Sequence, residues 1–389
     1  MKSKFLAHKY KRWVFSYFTL LTIVPLFFVS LFYAYDPLMF FRKPSDRDVT
    51  LVGNMRIQAA GVIHSLGHDS FILGTSMMEN TSAVSASTFI GGSFANISMS
   101  GSDYYERSYA LNYALEKNSK SIIYSLDSYY LKQRKGDIGS PASAYSYLYG
   151  DGLGRIKFYF QPKYFLCALT WSNSSKCVGK KRTTDRPKSW FKDKDDYARF
   201  GGLKNWFSME NSPQINMALV SISETAKRIK MSERELLDEV GLLSEVTKAT
   251  QYVDEHVLSF VSSNPLTKFH LIFPPYSRIR YAKWHQLEVT HAKVHNEVVK
   301  HLARKATELS NLFVYGYEDQ DFLDDIANYM DTGHYNEWVN NQMLVDIANG
   351  ERLITVRNVD SYLKVARTKA LAFDYIGLGQ EIDEHFESQ

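Results

Sequence analysis

The sequence reads as an α/β protein with a mostly parallel sheet, preceded by one apolar N-terminal segment. Three observations lead there. Short, β-rich apolar runs recur along the chain, the intervals between them carry apolar residues at helical spacing, and several of those intervals open on good capping residues. The expected strands are Ser70–Leu73, Ser93–Met99, Ser121–Leu126, Phe269–Phe273 and Leu312–Tyr317. Apolar strands alternating with helices argue for a parallel sheet covered by helices on both faces.

The N-terminal segment comes first. Trp13 to Tyr35 is an unbroken run of apolar, aromatic and small hydroxyl residues, long enough to cross a hydrocarbon core of about 30 Å. Pro25 inside it is better tolerated in a membrane helix than in a soluble one. Lys2, Lys4, Lys9, Lys11 and Arg12 precede the run and only Arg42 and Lys43 follow closely. That bias places residues 1–12 in the cytoplasm and the rest on the far side. The run is too long for a signal-peptide core, and Phe32-Tyr33-Ala34-Tyr35 offers no small-x-small cleavage site, so it reads as an uncleaved anchor.

Residues 36–68 read as a membrane-proximal connector and 69–350 as the main domain. Within that domain, Tyr104–Lys117 has helical periodicity with Ser102 or Asp103 as its cap. Ser232-x-x-Glu235 opens a further helix as a capping box. Asn336–Ala348 is a helix stopped at Gly350. The interval from about 128 to 268 is too long for one crossover and reads as an insertion, either a layer over the sheet or a plain subdomain. Residues 351–389 form a helical extension. A formal charge of +4 on 389 residues gives no reason to invoke nucleic acid. Cys167 and Cys177 lie in a polar, Ser-rich stretch; outside the cytoplasm they can close a short disulfide loop, and two buried thiols fit as well. A metal site at the cysteines has no supporting ligands.

Chemistry enters where strands end, because ligand sites of parallel sheets lie beyond the carboxyl ends of the strands. Ser76 follows the first strand through Gly74-Thr75 and starts a helix with Met77-Met78-Glu79-Asn80. An exposed hydroxyl there sits in the positive field of a helix terminus. Taken alone, Ser76 is equally a helix cap. Asp331-Thr332-Gly333-His334 follows the last strand on a polar loop. The carboxylate can hold the imidazole Nδ1–H and leave Nε2 to deprotonate a serine. Asp319, Asp321, Asp324 and Asp325 crowd upstream, so a merely solvated acidic loop is the plain alternative. After the second strand, Gly101 ends Asn96-Ile-Ser-Met-Ser-Gly; taken alone it is a simple turn glycine, and its backbone N–H can also donate to an oxyanion.

These pieces, in this order, resemble the SGNH (GDSL-type) hydrolase superfamily. The run ILGTSMMEN followed by NISMSG and DTGHY looks like anchored, extracytoplasmic members that modify bacterial polysaccharides, similar to alginate O-acetylation and teichoic acid D-alanyl-transfer proteins. The resemblance covers about residues 69–348. It implies a flavodoxin-like three-layer sandwich, Ser76 as nucleophile, His334 and Asp331 completing a triad, and the N–H groups of Ser76 and Gly101 as the oxyanion hole. It also implies a serine acyltransferase or esterase at the bacterial inner membrane, facing the periplasm and needing no cofactor. The acyl donor would come from a membrane-embedded acyltransferase, and the acceptor would be a polysaccharide. The family's third block normally supplies an oxyanion Asn, where this chain has Asp127, an acceptor that would repel an oxyanion. Either another donor such as Asn80 or Asn96 serves, or the hole has two donors, or the site is weak. Asp127 and the insertion also support a rival, a scaffold that grips a polysaccharide without turnover. The pairs His64/His68 and His291/His295 have metal-ligand spacing but no third ligand.

Overall fold

The computed structural model describes residues 2–132, 145–150, 152–180, 183–188, 194–209, 211–233 and 238–388. In chain order its principal elements are α1 (Lys2–Tyr35), α2 (Met55–Ser65), β1 (Ser70–Leu73), α3 (Ser76–Glu79), α4 (Ala83–Ile90), β2 (Phe94–Asn96), α5 (Tyr104–Glu116), β3 (Ser121–Ser125) and α6 (Tyr129–Lys132). They continue with α7 (Pro162–Leu169), α8 (Pro213–Lys230), α9 (Glu239–Val253), β4 (Lys268–Ile272), α10 (Arg278–Gln286), α11 (Val289–Glu308), β5 (Leu312–Tyr315), α12 (Glu337–Asn349), α13 (Val359–Ala372) and α14 (Tyr375–Glu387).

The chain divides into two compact units: residues 1–67 with 145–182, and residues 68–144 with 183–389. This differs from the division expected from sequence. Residues 36–67 are not a bare connector, and residues 145–182 of the expected insertion group with the N-terminal residues instead of with the sheet.

In the first unit, Tyr10–Tyr35 of α1 is long and apolar enough to cross a membrane. The chain then turns around the buried Asp36. Its carboxylate accepts the backbone N–H groups of Phe40, Phe41 and Arg42, each at 2.9 Å, and the hydroxyl of Tyr159. Those bonds satisfy the carboxylate at a place with little water. Aromatic rings of α1 and the 158–165 segment pack together, with Phe28 5.1 Å from Phe165 and Phe32 5.0 Å from Phe160. Cys167 and Cys177 form a disulfide, with Cα atoms 5.6 Å apart.

The second unit is built on a five-stranded, all-parallel sheet in the order β2-β1-β3-β4-β5. The strands lie where the apolar runs placed them: β1 coincides with its run, β4 is shifted by one residue, and β2, β3 and β5 are shorter by four, one and two residues. β1 and β3 are buried at every position, as the run of apolar residues in each requires. Ile72, Ile123 and Ile272 share one core with Met77 and Met78 of α3, Ile279 of α10, and Val339, Met343 and Ile347 of α12. The C-terminal stretch is part of this body and not an extension. Leu378 and Ile382 join the same core as Ile215, Leu219 and Ile222. At Gly379 a Cβ would lie 2.2 Å from the Cβ of Ala226, so only glycine lets α14 approach α8 this closely.

Helix caps follow the sequence in two cases and depart in one. Asp103 caps α5, accepting Glu106 N–H at 2.8 Å. Asn336 caps α12, which ends at left-handed Gly350. The expected capping box does not form: Ser232 sits in a turn after α8 with φ +58°, Glu235 lies outside the described residues, and α9 starts later, capped by Asp238.

Candidate active site

Because all five strands are parallel, their carboxyl ends share one edge, and the sequence-selected residues gather there. β1 ends at Leu73 and the chain turns at Gly74. A Cβ on Gly74 would lie 2.5 Å from Met78 Cγ and 2.8 Å from Ser125 Cβ, so the close packing of turn, helix and β3 needs glycine. Thr75 is the N-cap of α3, and its Oγ1 accepts Met77 N–H at 3.3 Å. Ser76 is therefore the first helical residue and half-buried. α3 is a single turn, so the field at Ser76 is that of a few local N–H groups and not of a long helix dipole.

His334 Nε2 lies 2.8 Å from Ser76 Oγ, and His334 Nδ1 lies 2.6 Å from Asp331 Oδ2. The serine and histidine are 258 residues apart in the chain. The Asp331 loop is the tip of a short antiparallel turn: Tyr329 pairs with Tyr335, and Met330 N–H donates to His334 O at 3.0 Å. Asp331 Oδ1 accepts the N–H groups of Gly333 at 2.7 Å and His334 at 2.9 Å. The D-x-x-H spacing thus does two jobs. One carboxylate oxygen fixes the backbone and the other fixes the imidazole tautomer. Burial by itself would raise the pKa of Asp331. The charge and Nδ1–H of His334 and the two backbone N–H groups outweigh it and hold the carboxyl well below its usual range.

Gly101, with φ +67°, lies on the loop after β2 and is exposed. That loop is tied to the serine turn, because Met99 N–H donates to Gly74 O at 2.8 Å and Ser100 N–H to Glu79 Oε1 at 3.0 Å. The two asparagines are placed otherwise than expected. Asn96 spends both amide hydrogens on the carbonyls of Met78 and Thr81, at 2.7 and 2.8 Å, and its oxygen accepts Ser98 N–H. It braces the end of α3 and has no donor left for an oxyanion. Asn80 is buried with its amide directed to Asn340, at 3.5 Å, so it too is structural.

Asp127 also departs from expectation. It is buried, and its Oδ1 accepts Thr75 Oγ1 at 2.7 Å and Tyr276 OH at 3.3 Å. Its Oδ2 accepts Ser125 Oγ and faces Arg107 Nη2 at 3.6 Å. Arg107 is fully buried, donates to Ser125 O at 2.7 Å and lies over the rings of Tyr104 and Tyr124. The negative charge is therefore compensated, and it grips the residue immediately before Ser76. In the sequence Asp127 stands only as an acceptor where a donor is expected. Arg107 and Tyr276, distant in the chain, give no local signal of the partnership.

A second Ser-His-acid chain was not foreseen. Ser128 Oγ lies 2.7 Å from His295 Nδ1, and His295 Nε2 lies 2.6 Å from Glu318 Oε1. All three residues are buried. Of the other histidines, His68 bonds Ser93 and Thr184. Among the described residues, no group of three His, Cys, Asp or Glu is arranged to hold a metal. The upstream acidic residues are partly engaged: Asp324 pairs with Arg278 at 2.6 Å, Asp321 pairs with Lys369, and Asp325 caps a short turn.

Comparison with known proteins found no matching family model, no matching curated protein and no matching solved structure.

Proposed function

We propose that this chain is a membrane-anchored serine acyltransferase or esterase of SGNH type, acting on acyl groups, in the first place acetyl, of a cell-surface or exported polysaccharide. The single observation that carries the reading is the Ser76–His334–Asp331 chain, with both contacts within hydrogen-bond reach at the carboxyl edge of a parallel sheet. The strand order 2-1-3-4-5 is that of flavodoxin-like sheets, which supports the expected sandwich. Asp127, which had favoured a scaffold without turnover, is accounted for by its pairing with Arg107 and Thr75.

In this reading His334 Nε2 takes the Ser76 proton as Oγ attacks the acyl carbonyl carbon. The N–H groups of Ser76 and Gly101 receive the oxyanion. The donor's alkoxide leaves with the proton from His334, and an ester remains on Ser76. A sugar hydroxyl or water, deprotonated by the same imidazole, attacks that ester and releases Ser76. α1 would hold the unit at the bacterial inner membrane with its N-terminus inside, where a membrane-embedded acyltransferase supplies the donor. The test is intact-mass analysis of the full chain in detergent after exposure to a fluorophosphonate. One adduct on Ser76, absent from Ser76→Ala and lost in His334→Ala, is expected. A folded protein that never forms it overturns the proposal.

A further inference from the structure

A cavity of about 660 Å3 flanks the serine site in the same unit. Neither Ser76 nor His334 lines it, but Thr332 of the triad loop does, together with Arg280, Lys283, Tyr129, Trp284 and Tyr375. Ser277 Oγ holds the Thr332 carbonyl at 2.6 Å, which fixes the loop to the start of α10. Arg280 lies against that loop, since a Cβ on Gly333 would sit 3.0 Å from its Nη2. The guanidinium stacks on Tyr276, 4.5 Å from the ring centroid. Among the described residues it has no carboxylate partner, whereas Lys283 is paired with Glu288 at 3.2 Å. A half-buried arginine with its fork unspent suits an anion with two coplanar oxygens. Tyr129, 46 % exposed at the rim, presents a ring on which a sugar face can lie.

We infer that this cavity binds an anionic sugar unit of the acceptor, its carboxylate or phosphate held by Arg280 and its ring against Tyr129. The inference rests on the acyl-transfer reading for the word acceptor, but its test does not. Full-length Ser76→Ala in detergent is titrated with a tetragalacturonate, with the same oligomer after carboxyl reduction, and with a phosphorylated tetrasaccharide. At least about tenfold tighter binding of an acidic form than of the neutral one is expected, as one charge-assisted pair provides. The preference collapses in Arg280→Gln and returns in part in Arg280→Lys. Which acidic form binds more tightly identifies the source of the charge. Equal binding of acidic and neutral forms, or a preference unaffected in Arg280→Gln, overturns the inference. Should Arg280→Gln not fold, Lys283→Glu must weaken the acidic ligand specifically, and failure to do so also overturns it. Anion binding without fluorophosphonate labelling of the wild type would remove the acyl-transfer reading and leave this site standing.

A separate observation concerns the first unit. Phe160, Leu166, Leu169 and Trp171 are 44 to 61 % exposed, around the short helix α7. Two of these and the adjoining Phe165 touch the end of α1: Phe165 meets Phe28, Phe160 meets Phe32, and Trp171 lies 5.5 Å from Tyr35. Phe28 is seven residues before Tyr35, about 10 Å along a helix axis. That is the depth at which interfacial helices bury their apolar faces. The geometry points to α7 and Trp171 lying in the bilayer surface beside the anchor, with the Cys167–Cys177 disulfide bracing the loop that carries them. The test uses the full chain in nanodiscs with acyl-brominated phosphatidylcholine, subtracting the Trp171→Phe signal from the wild-type fluorescence. The Trp171 component is expected to be quenched by bromine and shielded from iodide. Iodide access without bromine quenching overturns the inference, as does shielding from both in a particle holding two copies. Release of the chain by alkaline carbonate would instead remove the anchor reading on which this rests.

Discussion

Two serine-histidine-acid chains with nearly the same distances lie in one unit of this molecule, and their differences separate a reactive site from a structural one. In the first, the Ser76–His334 and His334–Asp331 contacts are 2.8 and 2.6 Å; in the second, Ser128–His295 and His295–Glu318 are 2.7 and 2.6 Å. Length does not distinguish them. Access does: the His334 and Asp331 side chains are 28 and 20 % exposed, those of His295 and Glu318 2 % each. The ring is also reversed, the acid holding Nδ1 in the first and Nε2 in the second. The acid's surroundings differ too. Asp331 is tied to its own loop, while Glu318 sits among buried groups, its backbone carbonyl accepting Arg278 at 2.6 Å and its N–H donating to Tyr362 OH at 3.2 Å. Hydrogen-bond geometry alone does not make a nucleophile; a substrate must also reach it.

The sharpest break between the two is expected in rate. Ser76→Ala should lower acyl turnover by about 10^4-fold or more, and Asp331→Asn by about 10^4 by releasing the imidazole tautomer. Hydrolysis of a small activated acetyl ester measures both. A loss under tenfold in either would dissolve the distinction. Asp331→Asn should also flatten acid sensitivity. The carboxyl's pKa is lowered in the folded state, so its stabilisation is complete above the ordinary carboxylate pKa and is lost as pH falls through the folded value.

For the buried chain the corresponding effect is on stability. His295→Leu leaves the Glu318 charge buried without its partner, which costs about 3–5 kcal/mol. Fluorophosphonate labelling of Ser76 in the folded fraction should stay within about threefold of wild type. Urea unfolding and labelling on one sample check the pair. Labelling lost at unchanged stability would make the buried chain part of the catalytic machinery.

What was legible in the sequence follows the range of the interactions. D-x-x-H was readable because Asp331 bonds residues two and three positions ahead. β1 and β3 were readable because burial on both faces leaves an apolar run. Asp127 was misjudged because what neutralises and positions it, Arg107 and Tyr276, lies 20 residues before and 149 after. His295 invited a metal reading through its spacing from His291, while its real partners are 167 and 23 residues away. The 145–182 segment looked like an insertion into the sheet domain, because nothing local in it records that it packs with residues 1–67. Ser232 and Glu235 had the pattern of a capping box, but left-handed backbone at Ser232 ends one helix where the pattern would start another.

His270 extends the comparison to an imidazole with no acid. On β4, it touches Tyr315 OH at 3.2 Å and stacks on Phe313. Burial, with a smaller contribution from the Lys268 charge, pushes its pKa down to about 4. The unfolded chain therefore binds the proton that the folded one refuses. Stability is full above the ordinary histidine pKa, near 6.5, and falls toward pH 4 by up to about 1.4 kcal/mol per pH unit. His270→Gln should remove that slope, which urea midpoints at pH 7 and pH 5 would show. An unchanged slope assigns the acid sensitivity elsewhere.

The smallest effect is expected at Ser128. Ser128→Ala removes the hydroxyl that meets His295 Nδ1 while Glu318 still holds Nε2, so one buried acceptor goes unsatisfied, at about 1–2 kcal/mol. Ester hydrolysis should not change. The informative experiment is its inverse, long exposure of Ser76→Ala to fluorophosphonate. With access as the discriminating property, Ser128 stays unmodified although His295 is placed to deprotonate it. An adduct on Ser128 at native pH would mean that the α6 segment above it opens far enough to admit a ligand. The second chain would then be a concealed nucleophile and no longer a structural brace.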